Sequence, residues 1–578
     1  MGCNMKTLLA RSGFLTTLVV LSAACAPTGA PPAVAPDAEL RITDPTVQVA
    51  RSTEGMVSSA SPWATEAGAR VLADGGNAVD AAVATGFALA VTEPTMSGIA
   101  GRASIVLRLP DGTVRGIDGL NTVPQGFDSE EGNPGYERAA VPGAIAALAR
   151  LQAEHGSWPL ARVMEAAIRL AEEGFILPEA EAGRFAAAAE DLADHPGSRA
   201  VFLKPNGQPW GAGERFVQPG MARVLRAVAE GGVEVFYTGW IADSIHADME
   251  RSGGFITRSD LAAYRALDAV PVSGSYRGHV VHSNFRPSSG HTVIQALQTL
   301  EEISGSDRLL QDDDAWGALV GQAMHLALQD RNRREGSELE SAHFLTSPGH
   351  ARDRAAEVRV PGLPDREARL LIDPVEVRPV GSEPWRPGRL ITDPADREAT
   401  THFTVADRSG TVVAVTQSLG PSMGTRVASP SLGFLYATRL GTTPGSRPAS
   451  TIAPTLVLAP DGTPFMALGG AGDARIISAV IQVISRRIDQ GRSLQGALAA
   501  PRLHPINSGE MRIEEGGAAP GWTPAARSAF DVLGLALSTA PPGYFGRVHA
   551  VEFADDGLLG VAEPRWGGSA AGPLTPDR

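Results

Sequence analysis

Apolar side chains recur mainly at helical spacing between residues 61 and 331, and change to alternating or short β-branched runs after Thr400. A first helix is predicted from Ser61-Pro62-Trp63-Ala64-Thr65-Glu66, which supplies a cap, a first-turn proline and an early acid, and it should end at Gly75-Gly76. Asn77-Ala78-Val79-Asp80 then opens an alanine-rich helix towards Val91, and the small residues on both predict a close crossing. Strands are expected at Ser104–Leu107 and Thr113–Ile117, around the turn Pro110-Asp111-Gly112. Helical spacing continues at 143–155, 160–173, 219–230, 238–251, 290–303 and 315–331, with a strand over Val280-Val281-His282 between them. From Glu335 to Ala399, Pro, Asp, Glu and Arg dominate without a period, which reads as a mobile connection or surface excursion.

Beyond it, Thr400–Asp407 and Thr411–Ser418 form two β-branched runs around Asp407-Arg408-Ser409-Gly410, a hairpin pattern. Pairing Ala406 with Thr411 places Thr400 opposite Gln417 and diagonal to Ser418, with two hydroxyls at the open end of the hairpin. Further strands are predicted at Gly433–Tyr436, Thr455–Leu458, Pro464–Leu468, 511–513 and 549–553, with an apolar helix from Ala474 through Ile484 and a shorter one at 493–499. Helices outside and strands within imply a layered α/β fold.

Composition narrows the setting. A net charge of -14 over 578 residues, with no basic stripe, argues against a nucleic-acid partner. Lys6 and Arg11 precede the apolar run Phe14–Leu21 and the small residues Ser22-Ala23-Ala24, the pattern of a secretory leader over 1–24. The run is too short for a comfortable membrane span. Leu21-Ser22-Ala23-Ala24-Cys25 is similar to a bacterial lipobox, so Cys25 is the expected lipidation site and 25–47 a lipidated tether. Cys3 lies in the leader, which leaves Cys25 alone and no intramolecular disulfide. The expectation is an exported protein of the bacterial cell envelope, facing the periplasm and touching the membrane only through its lipid.

Three segments, in order, resemble the gamma-glutamyltranspeptidase family of N-terminal-nucleophile hydrolases: Ala64-Thr65-Glu66-Ala67-Gly68 through Asn77-Ala78-Val79-Asp80 to Glu93-Pro94; Thr400-Thr401-His402-Phe403-Thr404-Val405-Ala406-Asp407; and Arg447–Thr455 with Gly469–Ile477 behind it. The resemblance spans about residues 48 to 570 and implies an αββα sandwich formed by two subunits cut from one precursor. The helix-rich large subunit would be 48–399 and the strand-rich small subunit 400–578, cleaved between Ala399 and Thr400 into a heterodimer. Thr400 would then be a new N-terminus whose α-amine, with a pKa of about 8, serves as base for its own hydroxyl. Ser418 stands where the family places a second hydroxyl beside the nucleophile. Gly472 and Asp473 match the Gly-Gly pair whose backbone amides form the oxyanion hole, and Asp473 brings a negative charge close to it. Ser450 and Thr451 match the pair that binds the glutamyl carboxylate.

The head-group positions depart from the family. Its arginine is replaced by Leu120, an expected asparagine by Gly420, and expected acidic and amide residues by Arg439 and Thr442; Arg102 could stand in for the lost cation only if the backbone brings it close. Arg439 would repel an α-ammonium, so the expected substrate is a small-molecule amide whose acyl group is gamma-glutamyl or, given these losses, acylase-like and glutaryl, with water or an amine as acceptor. The alternative is an impaired homologue that binds an envelope ligand or partner. Gly420-Pro421-Ser422-Met423-Gly424 satisfies a nucleophile-elbow pattern, but Thr425–Pro430 is a poor helix to follow it. Gly469–Gly472 lacks the lysine of a phosphate loop, and the twelve histidines form no ligand cluster, so no cofactor and no metal are expected.

Overall fold

The computed structural model describes residues 42–128, 135–360, 399–507, 509–516 and 521–574. Cys25, the leader and most of the stretch before Ala399 lie outside the described residues. Two seven-stranded antiparallel sheets face each other. The first runs Ser569–Ala571, Gly55–Ser59, Ala399–Asp407, Val412–Gly420, Arg102–Arg108, Val114–Gly119 and Leu267–Asp268. The second runs Val49–Ser52, Gly557–Val561, Arg547–Ala554, Pro464–Ala471, Thr455–Leu458, His279–Asn284 and Pro271–Tyr276. Strands from both sides of Ala399–Thr400 interleave in each sheet, so neither half completes a sheet alone.

The period of two along the central strands builds the layers. Val412 and Ala414 enter the core between the sheets with Ala406, Ala467 and Val551, whereas Val413, Val415, Phe403 and Val405 face the first helical layer. Met466, Leu468, Val548 and Ala550 face the other layer, built on helices Gly290–Glu302, Asp313–Asp330 and Ala474–Ile488. The order helix, sheet, sheet, helix is the αββα sandwich expected from the sequence. Helix Ala78–Thr92 is largely apolar on every face and buried along its whole length, as such a helix must be. Its start is set by Asn77, whose side chain accepts from the Asp80 amide while Asp80 accepts from the Asn77 amide. The close crossing with helix Pro62–Ala73 is present: a Cβ on Gly68 would lie 2.2 Å from Thr85 Oγ1.

Three local expectations are corrected. The central hairpin pairs Ala406 with Val412 and Thr401 with Gln417, one residue away from simple counting. The loop is Arg408-Ser409-Gly410, closed by the Asp407 amide on the Thr411 carbonyl, and Gly410 at φ 82° completes the extra residue. Gly433–Tyr436 forms no strand; only a single bridge, Ala428 with Leu435, is made there. The polar stretch after Glu335 begins with two short helices, Glu338–Leu345 and Pro348–Ala355, because Ser337 and Ser347 cap them and Glu340 completes a capping box.

Candidate active site

The register ending at Thr401–Gln417 sets Thr400 across from Ser418, and a bulge follows at once, with Ala399 opposite Gly420. Bulges of this kind re-aim a side chain at a strand end. Thr400 is 6% exposed, and its Oγ1 donates to Ser418 Oγ at 3.2 Å. Ser418 Oγ in turn donates to the Ala399 carbonyl at 2.5 Å and accepts from the Gly420 amide at 2.9 Å. One serine hydroxyl therefore bridges the threonine hydroxyl and the carbonyl of the preceding residue.

Strand alternation sends neighbouring side chains to different places. His402 faces the second sheet, where Gly469 leaves room for its ring, and it is tied to Thr416 Oγ1 at 2.8 Å and Thr404 Oγ1 at 3.0 Å. Burial, with His549 nearby, drives its pKa well below the usual range, so His402 is a neutral packing residue. The buried Thr401 hydroxyl lies beside the Glu93 carboxyl and shares a cavity with Thr400, Glu93, Glu181, Arg184, Arg547 and His549. Glu181 is paired with Arg184 and accepts from Thr95 Oγ1 at 2.8 Å. Burial and then the Glu181 charge push the Glu93 carboxyl up to about 7, against the pull of Arg184, Arg547 and the Thr401 hydroxyl.

That shift has a measurable sign. A carboxyl raised from 4.5 to about 7 keeps its proton in the folded chain over a range where the unfolded chain has lost it, so stability falls as pH rises through that window. Glu93→Gln removes this loss, and its melting temperature relative to wild type is expected to climb between pH 5 and pH 8. A difference that stays constant with pH would refute the assignment.

Across the cavity, Ala471 ends its strand and Gly472 and Asp473 turn into helix Ala474–Ile488. Gly472 has φ 123° and Asp473 φ 52°, so the backbone keeps a conformation natural to two glycines although the second residue is an aspartate. Both amides stand at the N-terminus of a 15-residue helix, an electropositive position. The Asp473 carboxylate is engaged elsewhere: Oδ1 accepts from Thr451 Oγ1 at 2.8 Å, and its field acts on Arg102 and Arg331. Ser450 is buried beside it, its amide on the Pro287 carbonyl at 2.7 Å.

Arg102 is the register partner of Ser418 on the neighbouring strand, so both side chains lie on one face. It lines a small cavity with Leu120, Asn121, Arg439, Leu440 and Pro448. Arg439 is occupied there: its guanidinium lies 3.8 Å over the Phe127 ring and donates to the Gly441 carbonyl at 2.7 Å. Thr442 is exposed. The structure thus gathers Ala399, Thr400, Ser418 and Gly420 at one strand end, and Thr451 with Asp473 beside the helix terminus. Leu120, Arg102 and Arg439 share a second, smaller cavity. Glu93, Glu181, Arg184, Arg547 and Arg331 escaped sequence reasoning. The only signal was Glu93-Pro94 within a matched segment, because periodicity cannot report which charges become buried together.

The gamma-glutamyltranspeptidase family model matches residues 64–573. The glutathione hydrolase proenzyme of Escherichia coli (strain K12) is 32% identical over 587 residues, covering 94% of this chain and 96% of the relative. The acylase ACY 1 proenzyme of Pseudomonas sp. (strain SE83) is 33% identical over 540 residues, covering 88% and 92%. The crystal structure of cephalosporin acylase from Bacillus halodurans superposes with a TM-score of 0.76 at 27% identity, covering 91% of this chain and 97% of that one.

Proposed function

Because the chain belongs to the gamma-glutamyltranspeptidase family, whose members are N-terminal-nucleophile amide hydrolases and acyltransferases, we propose that Thr400 is its self-liberated nucleophile. The observation that carries this reading is Ser418 Oγ, held between the Thr400 hydroxyl and the Ala399 carbonyl. In the precursor, Thr400 Oγ1 attacks the Ala399 carbonyl carbon while Ser418 polarises its oxygen. The Ala399–Thr400 C–N bond breaks, and the nitrogen takes up the proton released by the hydroxyl. Water then hydrolyses the resulting ester, leaving the Ala399 carboxylate and a free Thr400 α-amine.

In the mature enzyme that amine accepts the hydroxyl proton as Oγ1 attacks a substrate amide, and the amine leaving group departs protonated. The Gly472 and Asp473 amides face the developing oxyanion. Water or a second amine resolves the acyl-enzyme. The Thr451 contact and the two arginines around Asp473 support tolerance of its negative charge so near the oxyanion.

The substrate acyl group lacks an α-ammonium. Leu120, Gly420 and Arg439 offer no anion to hold one, and a solvated ammonium would lose contacts of about 1.5–3 kcal/mol each. An exported, Cys25-lipidated precursor fits the N-terminal pattern, and no helix among the described residues is long and apolar enough to cross a membrane. The binding-only alternative is less well supported, because nucleophile, bridging hydroxyl and scissile carbonyl are already in contact.

Incubated, purified protein is expected to resolve into two bands under denaturing conditions, the smaller beginning at Thr400 by N-terminal sequencing. A single persistent band overturns the reading. Of two anilides differing only in the α-amino group, the glutaryl compound is expected to be cleaved with higher kcat/KM than the gamma-glutamyl one; the reverse order would refute the substrate assignment alone.

A further inference from the structure

Resting on that reading, we propose that Arg102 is the specificity residue of the acyl pocket, binding the far carboxylate of a short dicarboxylic half-amide while Thr400 attacks the near carbonyl. The residue comes from an unexpected strand. Leu120 stands where the family's head-group cation is expected, and its side chain lines the same cavity as Arg102, so charge has moved from one wall of the pocket to another.

Arg102 is 1% exposed, yet its Nε and Nη1 make no hydrogen bond and no ion pair among the described residues. A buried guanidinium left with donors unused is costly unless something else supplies the acceptors. Burial holds its pKa at about 10, so the cation persists at neutral pH. Arg439, which lines the same cavity, donates to the Gly441 carbonyl and stacks its guanidinium on the Phe127 ring. Among these two arginines, Arg102 is the one with donors to spare.

Gly420 completes the device. A Cβ there would lie 2.6 Å from Arg102 Nη2, so a side chain at 420, already strained at φ 100°, would require the guanidinium to shift. The glycine thus leaves the guanidinium the space it occupies. The Gly420 amide also holds Ser418 Oγ at 2.9 Å, which ties the guanidinium to the Thr400 end of the hairpin. Arg102 faces Ser418 directly across the strand pair, and paired Cα atoms are about 5 Å apart. A glutaryl chain brings a second carboxylate for such a guanidinium; a monocarboxylic acyl group of the same length has nothing to offer it. Among the described residues Asp473 makes no ion pair with Arg102, and its charge acts on Arg331 as well.

The test uses the autoprocessed protein and its R102M variant, with glutaryl anilide, the matched pentanoyl anilide, and free glutarate followed by calorimetry. R102M is expected to cut itself normally and to be at least as thermally stable as wild type, because it removes an unpaired buried charge. It should lose about 100-fold in kcat/KM on the glutaryl anilide, keep its rate on the pentanoyl anilide, and lose glutarate binding. Equal losses on both anilides, a destabilised R102M, or wild type that does not bind glutarate would each overturn the proposal. Failure of wild type to cleave itself would instead sink the nucleophile assignment, while glutarate binding would still report on Arg102.

Discussion

Thr400→Ala is expected to persist as one uncut chain and to lose at least about 10⁴-fold in amide hydrolysis, since it removes the attacking atom of both reactions. Thr400 is buried at a strand end, and alanine keeps its Cβ, so the variant should fold and melt close to wild type. Thr400→Ser restores the hydroxyl and should restore cutting, more slowly, because the methyl group that fixes the rotamer is gone. Ser418→Ala separates the roles: the nucleophile remains, but the carbonyl loses its 2.5 Å donor and the Thr400 hydroxyl its acceptor. Cutting should therefore slow by about 10²-fold or more without being abolished. Denaturing gels over a time course, with N-terminal sequencing of the small product, measure all three. Normal cutting in Thr400→Ala would place the nucleophile elsewhere.

The hairpin shows what could be read from the chain and what could not. Alternation over Phe403, Val405, Val413 and Val415 identified both strands, since only a buried face requires apolar residues at every second position. Counting back from the turn missed the register by one residue, because Gly410 at positive φ lengthens the loop. That offset is what brings Ser418 to face Thr400. The bulge between Ala399 and Thr401 was invisible as well, because a single irregular step leaves no periodic trace. The long helix Leu160–Glu173 was legible to within a residue or two and Ala474–Ile488 was legible except for its last turn, whereas the short strands Val49–Ser52 and Gly557–Val561 were not. Their four or five residues become strands only because neighbouring strands are there to receive them. In the pocket, Arg102 could be named from its place after Gly101, but only the strand register shows that it faces Ser418.

Glu563→Gln is expected to cost about 3–5 kcal/mol of stability at pH 7, a large effect for a change that preserves shape. Glu563 is fully buried in the turn before the last strand, where it pairs with Arg502 at 2.8 Å and Arg565 at 2.9 Å and accepts from the Val548 amide at 2.8 Å. Arg565 also pairs with Glu514 at 2.7 Å, so two guanidiniums share two carboxylates in the interior. A glutamine leaves both cations with Glu514 alone, and an uncompensated buried charge is what makes breaking such a network expensive. Burial by itself would raise the Glu563 pKa; the Arg502 and Arg565 charges and the Val548 amide outweigh it and hold the carboxyl at about 2. Its folded pKa therefore lies below the ordinary 4.5, so its stabilisation is complete above that pH and is lost as pH falls from 4.5 towards 2. The gap between wild type and variant, read from denaturant midpoints, should narrow over that acid window. The same strand carries Arg547 and His549 into the cavity beside Thr400, so loosening Val548 should also slow self-cleavage. A variant within 1 kcal/mol of wild type at pH 7, or a gap unchanged between pH 5 and pH 3, would mean that the network is a passive filler and that the strand is held by its neighbours alone.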